Sequence, residues 1–177
     1  MKRSLLAFAC ISLLATPAMA QSVGEKTGVN SVLGVAPKTE DFIREAAISD
    51  MTEIETAKIA MQRGNAEDKT FAETMQRDHT KTSTELKGLV PADMKNAMPT
   101  ALDDSSKKKV DSLRDAKNEN VSKDYRSMQV SAHKDAVSLF ERYAKGGDNA
   151  QLKDWAGKTL PALQHHLKMA QDLNDKR

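Results

Sequence analysis

The chain has 177 residues with 27 basic and 25 acidic side chains, a single cysteine and only 4% aromatics. Near-zero net charge with interspersed signs argues against nucleic-acid binding and against electrostatic attachment to acidic lipid. One cysteine excludes an internal disulfide framework, so the fold must rest on an apolar core.

Residues 1–20 read as a secretory signal peptide. Lys2 and Arg3 form its basic start, residues 5–15 its apolar run, and Ala18, Met19 and Ala20 a small-x-small cleavage pattern before Gln21. The apolar run is shorter than the ~20 residues of a membrane span. It also continues past Cys10 to Leu14, which disfavours lipid attachment there. The expected product is an exported protein without a transmembrane segment, periplasmic in a Gram-negative host. Cleavage would remove Cys10, leaving neither thiol nucleophile nor thiolate ligand, and 25 basic against 25 acidic side chains.

Residues 21–38 contain Gly24, Gly28, Gly34 and Pro37 and show no helical period, which predicts a flexible or loosely docked arm. Residues 39–174 read as one bundle domain. Thr39 is the expected N-cap of a first helix, with Glu40 and Asp41 facing its positive end. Ile43, Ala46, Ala47, Asp50, Ile54, Ala57, Ala60 and Met61 then recur at three- and four-residue steps until Gly64. A second helix is predicted over 67–88, with Phe71, Met75, Thr82 and Leu86 on its buried stripe. Pro91 and Pro99 interrupt the next stretch, which is longer than the ~2–8 residues usual between paired helices. A short helix capped by Ser105 or Ser106 should carry Val110 and Leu113, with a break at 117–120. Helices over 121–145 and 150–174 follow, the last containing Pro161. No segment alternates with period two. The fold class is therefore all-α, as two helix hairpins joined by a long connection.

Each of the four main helices carries one inward ionisable residue: Glu53, His79, His133 and His166. They lie about 18–25 Å from their hairpin tips at ~1.5 Å per residue. They should meet at one depth if both tips point toward the same end of the bundle. Three imidazoles and one carboxylate suit a single transition-metal ion: copper, zinc, iron or manganese. The Glu-x-x-His step of dinuclear carboxylate bundles is absent, because Gln76 and Leu163 precede His79 and His166 by three. Met75 and Met169 would favour copper(I) as ligands, but Met at helical spacing usually fills core. Asp50 is a second polar core residue or an edge charge. Asp78 supports a neighbour or is a surface carboxylate. His165 faces solvent, and Tyr125 is a packing residue.

The same four residues also suit a buried polar layer whose histidines bond a carboxylate and one another. Protonation of such a layer would loosen the bundle, the basis of a pH-sensing reading. No phosphate loop, nucleophile elbow or dinucleotide fingerprint is present, and no catalytic or organic-cofactor residue is assigned.

Phe42, Ala46, Glu53, Ala60, Phe71, Met75, Asp78-His79 and Glu85-Leu86 form the first half of a recognisable pattern. Asp124-Tyr125, Met128, His133, Phe140, Leu152, Ala156, Leu160-Pro161, His166-Leu167 and Ala170 form the second. In this order the chain resembles the bacterial exported domain-of-unknown-function family four-one-four-two, often labelled outer-membrane proteins and grouped with ferritin-like bundles. The resemblance implies a ferritin-like four-helix fold and matching positions for Glu53, His79, His133 and His166, but no established activity. Similar proteins tend to carry a glycine where this chain reads Lys117-Asn118-Glu119-Asn120. Two functions follow: metal binding or sequestration at the bundle centre, or a non-catalytic envelope protein engaging a protein partner through its surface or arm.

Overall fold

The computed structural model describes residues 22–26 and 28–176; the expected signal peptide lies outside them. Two short helices, α1 (Val23–Lys26) and α2 (Val29–Leu33), precede the long α3 (Thr39–Arg63) and α4 (Ala66–Leu89). A 3-10 segment (Ala92–Ala97) and α5 (Asp104–Asp115) form the connection to α6 (Asn118–Gly146) and α7 (Ala150–Asp175). No strand occurs among the described residues, and the fold is the expected all-α bundle of two hairpins.

The helix ends follow local chemistry, with three corrections to the sequence reading. Thr39 is not a cap but the first residue of α3, where its hydroxyl bonds Tyr143 Oη at 2.6 Å and Asp148. The tertiary contact claims the hydroxyl that a cap would use. Asp103, not either serine, caps α5 by accepting from the Ser106 amide at 2.7 Å. The break before α6 falls at Ala116 and Lys117, and the asparagine-rich stretch is already helical from Asn118. Arg63 stabilises that break by donating to the carbonyls of Arg114 and Ala116 and to Asn118 Oδ1. At the first hairpin tip, Asn65 Oδ1 accepts from the Asp68 amide while Asp68 Oδ2 accepts from the Asn65 amide, a reciprocal cap that starts α4.

Contacts at the two ends fix the topology. Arg63 at the end of α3 meets Asn118 at the start of α6. Arg126 near the start of α6 binds Asp68 near the start of α4 and the carbonyls of Leu173 and Lys176 at the end of α7. At the opposite end, Thr39 meets Tyr143, and Trp155 Nε1 donates to Glu85 at 2.9 Å. Helices α4 and α6 therefore run one way and α3 and α7 the other. The hairpin tips point to opposite ends, not to the same end as the depth argument required. The connection through α5 spans the length of the bundle, which is why it must be long. The four inward residues still meet, because each lies within about one turn of its helix midpoint and mid-helix positions coincide in either orientation.

The core is split in two. Phe42, Phe140, Tyr143 and Trp155 gather at the α6–α7 tip, with Phe42 stacked on Tyr143 at 3.9 Å. Phe71, Met75, Tyr125 and Leu173 belong to a second cluster toward the other end. Between them lies a polar layer containing Asp50, Glu53, His79, Gln129, His133 and His166, all buried.

The segment expected to lack helix forms α1 and α2, since one or two turns are too short to establish a period. Glu25 is 8% exposed and paired with Arg142 at 2.6 Å, and Arg142 also donates to the Val35 carbonyl at 2.8 Å. These bonds fasten the segment to α6.

Candidate metal centre

Helical spacing delivers the site. On α6, Tyr125, Gln129 and His133 follow at four-residue steps and so share one face. On α3, Asp50 and Glu53 are one turn apart, and α4 and α7 bring His79 and His166 opposite them. The three imidazole rings form a nearly equilateral group, with centroids separated by 5.5, 5.6 and 5.7 Å. One nitrogen from each ring can be chosen so that all three lie within 4.8 Å of one another. Points so spaced lie at most about 2.8 Å from a common centre, and imidazole–zinc bonds are ~2.0–2.1 Å. Inward shifts of under about 1 Å would close the difference.

Each ring is oriented from behind. His79 Nδ1 bonds Asp50 Oδ1 at 2.8 Å, and Asp50 is itself held by the hydroxyls of Thr82 and Ser83 at 2.9 and 3.1 Å. His133 Nδ1 donates to the Gln129 carbonyl at 2.9 Å, which leaves the lone pair on Nε2. His166 Nε2 bonds Asp78 Oδ2 at 3.0 Å, with Arg77 fastening the other side of that carboxylate. The remaining nitrogens, His79 Nε2, His133 Nε2 and His166 Nδ1, are buried and have no protein partner. Metal-ligating histidines characteristically have one nitrogen fixed by a carboxylate or carbonyl and the other directed to the ion.

The electrostatics keep two of the three rings neutral. Burial, with repulsion from His79, lowers His133 to about 4. Burial and the neighbouring histidines likewise bring His166 to about 4. Both are neutral near pH 7 and keep their lone pairs. Burial also depresses His79, but the Asp50 hydrogen bond and the Glu53 charge outweigh it, and its pKa is raised. Burial raises Glu53, against the opposing influence of His79 and the Gln129 hydrogen bond.

Glu53 sits beside the histidines rather than inside their tight group. Its Oε2 accepts from Gln129 Nε2, and the neighbouring His79 and His166 oppose the rise that burial gives its carboxyl. Gln129 was not singled out by the sequence, although its position one turn before His133 was the available signal. Its Oε1 and the Tyr125 hydroxyl are also buried without protein partners. Burial holds the Tyr125 phenol well above its ordinary pKa, so it stays neutral. His165 is exposed, whereas Asp50 and Asp78 both support histidines. Met75 and Met169 belong to the apolar cluster.

Fold and site together define a four-helix bundle with a long crossover, the ferritin-like arrangement, carrying three buried histidines in a polar mid-layer. The chain belongs to the family described as a domain of unknown function, DUF4142, whose model matches residues 24–173. No curated protein and no solved structure matches the chain. Among the described residues no helix is long and apolar enough to cross a membrane.

Proposed function

We propose that this protein is an exported, periplasmic metal-binding bundle that holds one transition-metal ion. His79, His133 and His166 supply nitrogen ligands, and Glu53 supplies a carboxylate after parting from Gln129. The ion is drawn from copper, zinc, iron and manganese, since imidazole with one carboxylate accommodates each of them. The observation that carries this reading is the pairing pattern. A purely architectural layer would have its histidines bond one another, because unpaired buried polar atoms cost ~1–3 kcal/mol each. Here three imidazole nitrogens lack partners while their opposite nitrogens are held in place.

Elemental analysis of the mature protein, purified without chelator or affinity tag, tests the reading. Near-stoichiometric metal in the wild type and in His165→Ala, but not in His79→Ala/His133→Ala, is the expected result. No metal in the wild type, even after reconstitution with each of the four ions, would overturn it.

A second reading, an envelope protein that engages a protein partner, is favoured by one feature. Val32 and Leu33 on α2 are 87% and 68% exposed. Partner capture that persists when the histidines are replaced, and is lost in Val32→Ser/Leu33→Ser, would establish it.

A further inference from the structure

An ion bound by the three histidines must cross one wall of the bundle, and the seams between helices differ at that depth. The α3–α4 seam is tied by Asp50 to His79, Thr82 and Ser83. The α4–α7 seam is tied by Asp78 to His166. The α3–α6 seam is different. Helix α5 lies over it, and α3, α5 and α6 bound a cleft of about 960 Å³. Its lining includes the short hydroxyl side chains of Ser49, Thr52, Ser127 and Ser131, which leave room and offer oxygen to a hydrated cation.

Glu53 and Gln129 also line the cleft, although they are only 2% and 1% exposed. They therefore belong to its inner end. On the other side, Gln129 lies one helical turn before His133, whose Nδ1 donates to the Gln129 carbonyl at 2.9 Å. The Gln129 amide is bonded to the Glu53 carboxylate through Nε2, while its own Oε1 has no protein partner. Two side-chain oxygens, one of a carboxyl and one of an amide, thus stand between the cleft and the histidines.

We propose that this cleft is the passage by which a divalent transition-metal ion reaches the three histidines, with the Glu53–Gln129 pair as its inner door. The incoming cation competes with the Gln129 N–H for the Glu53 carboxylate. When the cation wins, the amide turns away and the carboxylate follows the ion inward. The inference rests on the metal-binding reading and adds a route and a gating pair to it. It also separates the roles of the residues: the histidines hold the ion, the cleft sets the rates, and Gln129 opposes entry.

Stopped-flow mixing of the mature protein with cobalt(II), followed by the visible absorption of the bound ion, tests this. Ser127→Trp and Ser131→Trp place bulk at exposed positions of the cleft, and Lys81→Trp places it on the exposed face of α4. Blocking the passage should slow association and dissociation together by about tenfold or more, because a gate raises one barrier for both directions. The equilibrium Kd should stay within about twofold of wild type, as should both rates in Lys81→Trp. Gln129→Ala, which removes the competitor for Glu53, should accelerate association and lower Kd.

Wild-type association and dissociation rates in Ser127→Trp and Ser131→Trp, with cobalt still bound, would overturn the passage while leaving metal binding intact. A change confined to dissociation would overturn it too. Absence of any cobalt spectrum in the wild type would instead overturn the underlying metal reading. Circular dichroism of each variant confirms that the compared chains are folded.

Discussion

Replacing Asp50 by asparagine probes the site without touching a proposed ligand. The carboxylate is buried, 2.8 Å from His79 Nδ1, and accepts two further hydrogen bonds from Thr82 and Ser83. Asparagine keeps the shape and one acceptor oxygen, but removes the charge and turns an NH2 toward one of the hydroxyls. The ring loses part of its orientation and basicity, a change that typically weakens metal affinity by about 10–100-fold. At an ion concentration about 1,000 times the wild-type Kd, binding stabilises the wild type by about 4.1 kcal/mol. A site 10–100-fold weaker gains only about 2.7 to 1.4 kcal/mol under the same conditions. With roughly 2–4 °C per kcal/mol for a domain of this size, the variant's metal-induced rise in Tm should be smaller by about 3–11 °C. Thermal melts with and without zinc, each referenced to the variant's own metal-free Tm, measure this directly. Asp78→Asn is the internal comparison: its side chain is 31% exposed, so water can replace part of what is lost and the reduction should be smaller. An Asp50→Asn shift equal to wild type, or a larger loss in Asp78→Asn, would refute the assigned order of support.

The remaining predictions concern stability. Removing Arg126 leaves Asp68 buried and fully unexposed without the partner that now lies 2.7 Å away. Arg126→Met, which keeps the stem, should cost about 3–5 kcal/mol in urea unfolding, and a loss below about 1 kcal/mol would contradict the buried-pair reading. Acidification of the metal-free protein should also act through His133. Its pKa is about 4 when folded but 6.5 in the unfolded reference, so the unfolded chain takes the proton first and stability falls between those values. That contribution is about 3 kcal/mol, opposed by the raised groups His79 and Glu53 within a layer also faced by Asp50, Asp78 and His166. Wild type should therefore lose about 3 kcal/mol relative to His133→Gln from pH 7 to 4, and a pH-independent difference would disprove it. Finally, Glu25→Ala should release the α1–α2 segment from Arg142. Amide exchange over residues 28–35 should accelerate while exchange in α3 stays slow; unchanged exchange over 28–35 would show that Glu25 does not hold the segment.

How much of the site could be read from one chain is clearest at α6. The four-residue steps from Tyr125 to His133 fix a common face, so His133 was legible, and Gln129 was equally accessible on spacing. Its amide gave no reason to be noticed until Glu53 on α3 was found 76 positions away at its Nε2. Asp50 was ambiguous for a similar reason: periodicity put it at the inner edge of α3, but only the neighbouring α4 supplied the His79 nitrogen and the two hydroxyls. The exposure of His165 beside the burial of His166 follows from the ~100° turn between successive helical residues, and was legible without neighbours.

The sequence by itself determined the all-α class, the apolar stripes, the breaks at Gly64 and after Gly146, and the inward placement of Glu53, His79, His133 and His166. These depend on periods of a few residues, which local sterics and backbone hydrogen bonding impose on any chain of this pattern. Only the tertiary structure decided that the hairpin tips face opposite ends, that the core is two apolar clusters around a polar layer, and which nitrogen of each histidine is left free. Those outcomes depend on contacts between residues far apart in the chain, such as Arg63 with Asn118 and Arg126 with the end of α7. Hydrophobic burial specifies which face turns inward but has no direction along the helix axis. The sense of each helix was therefore set by directional bonds at the bundle ends and by a connection long enough to span it.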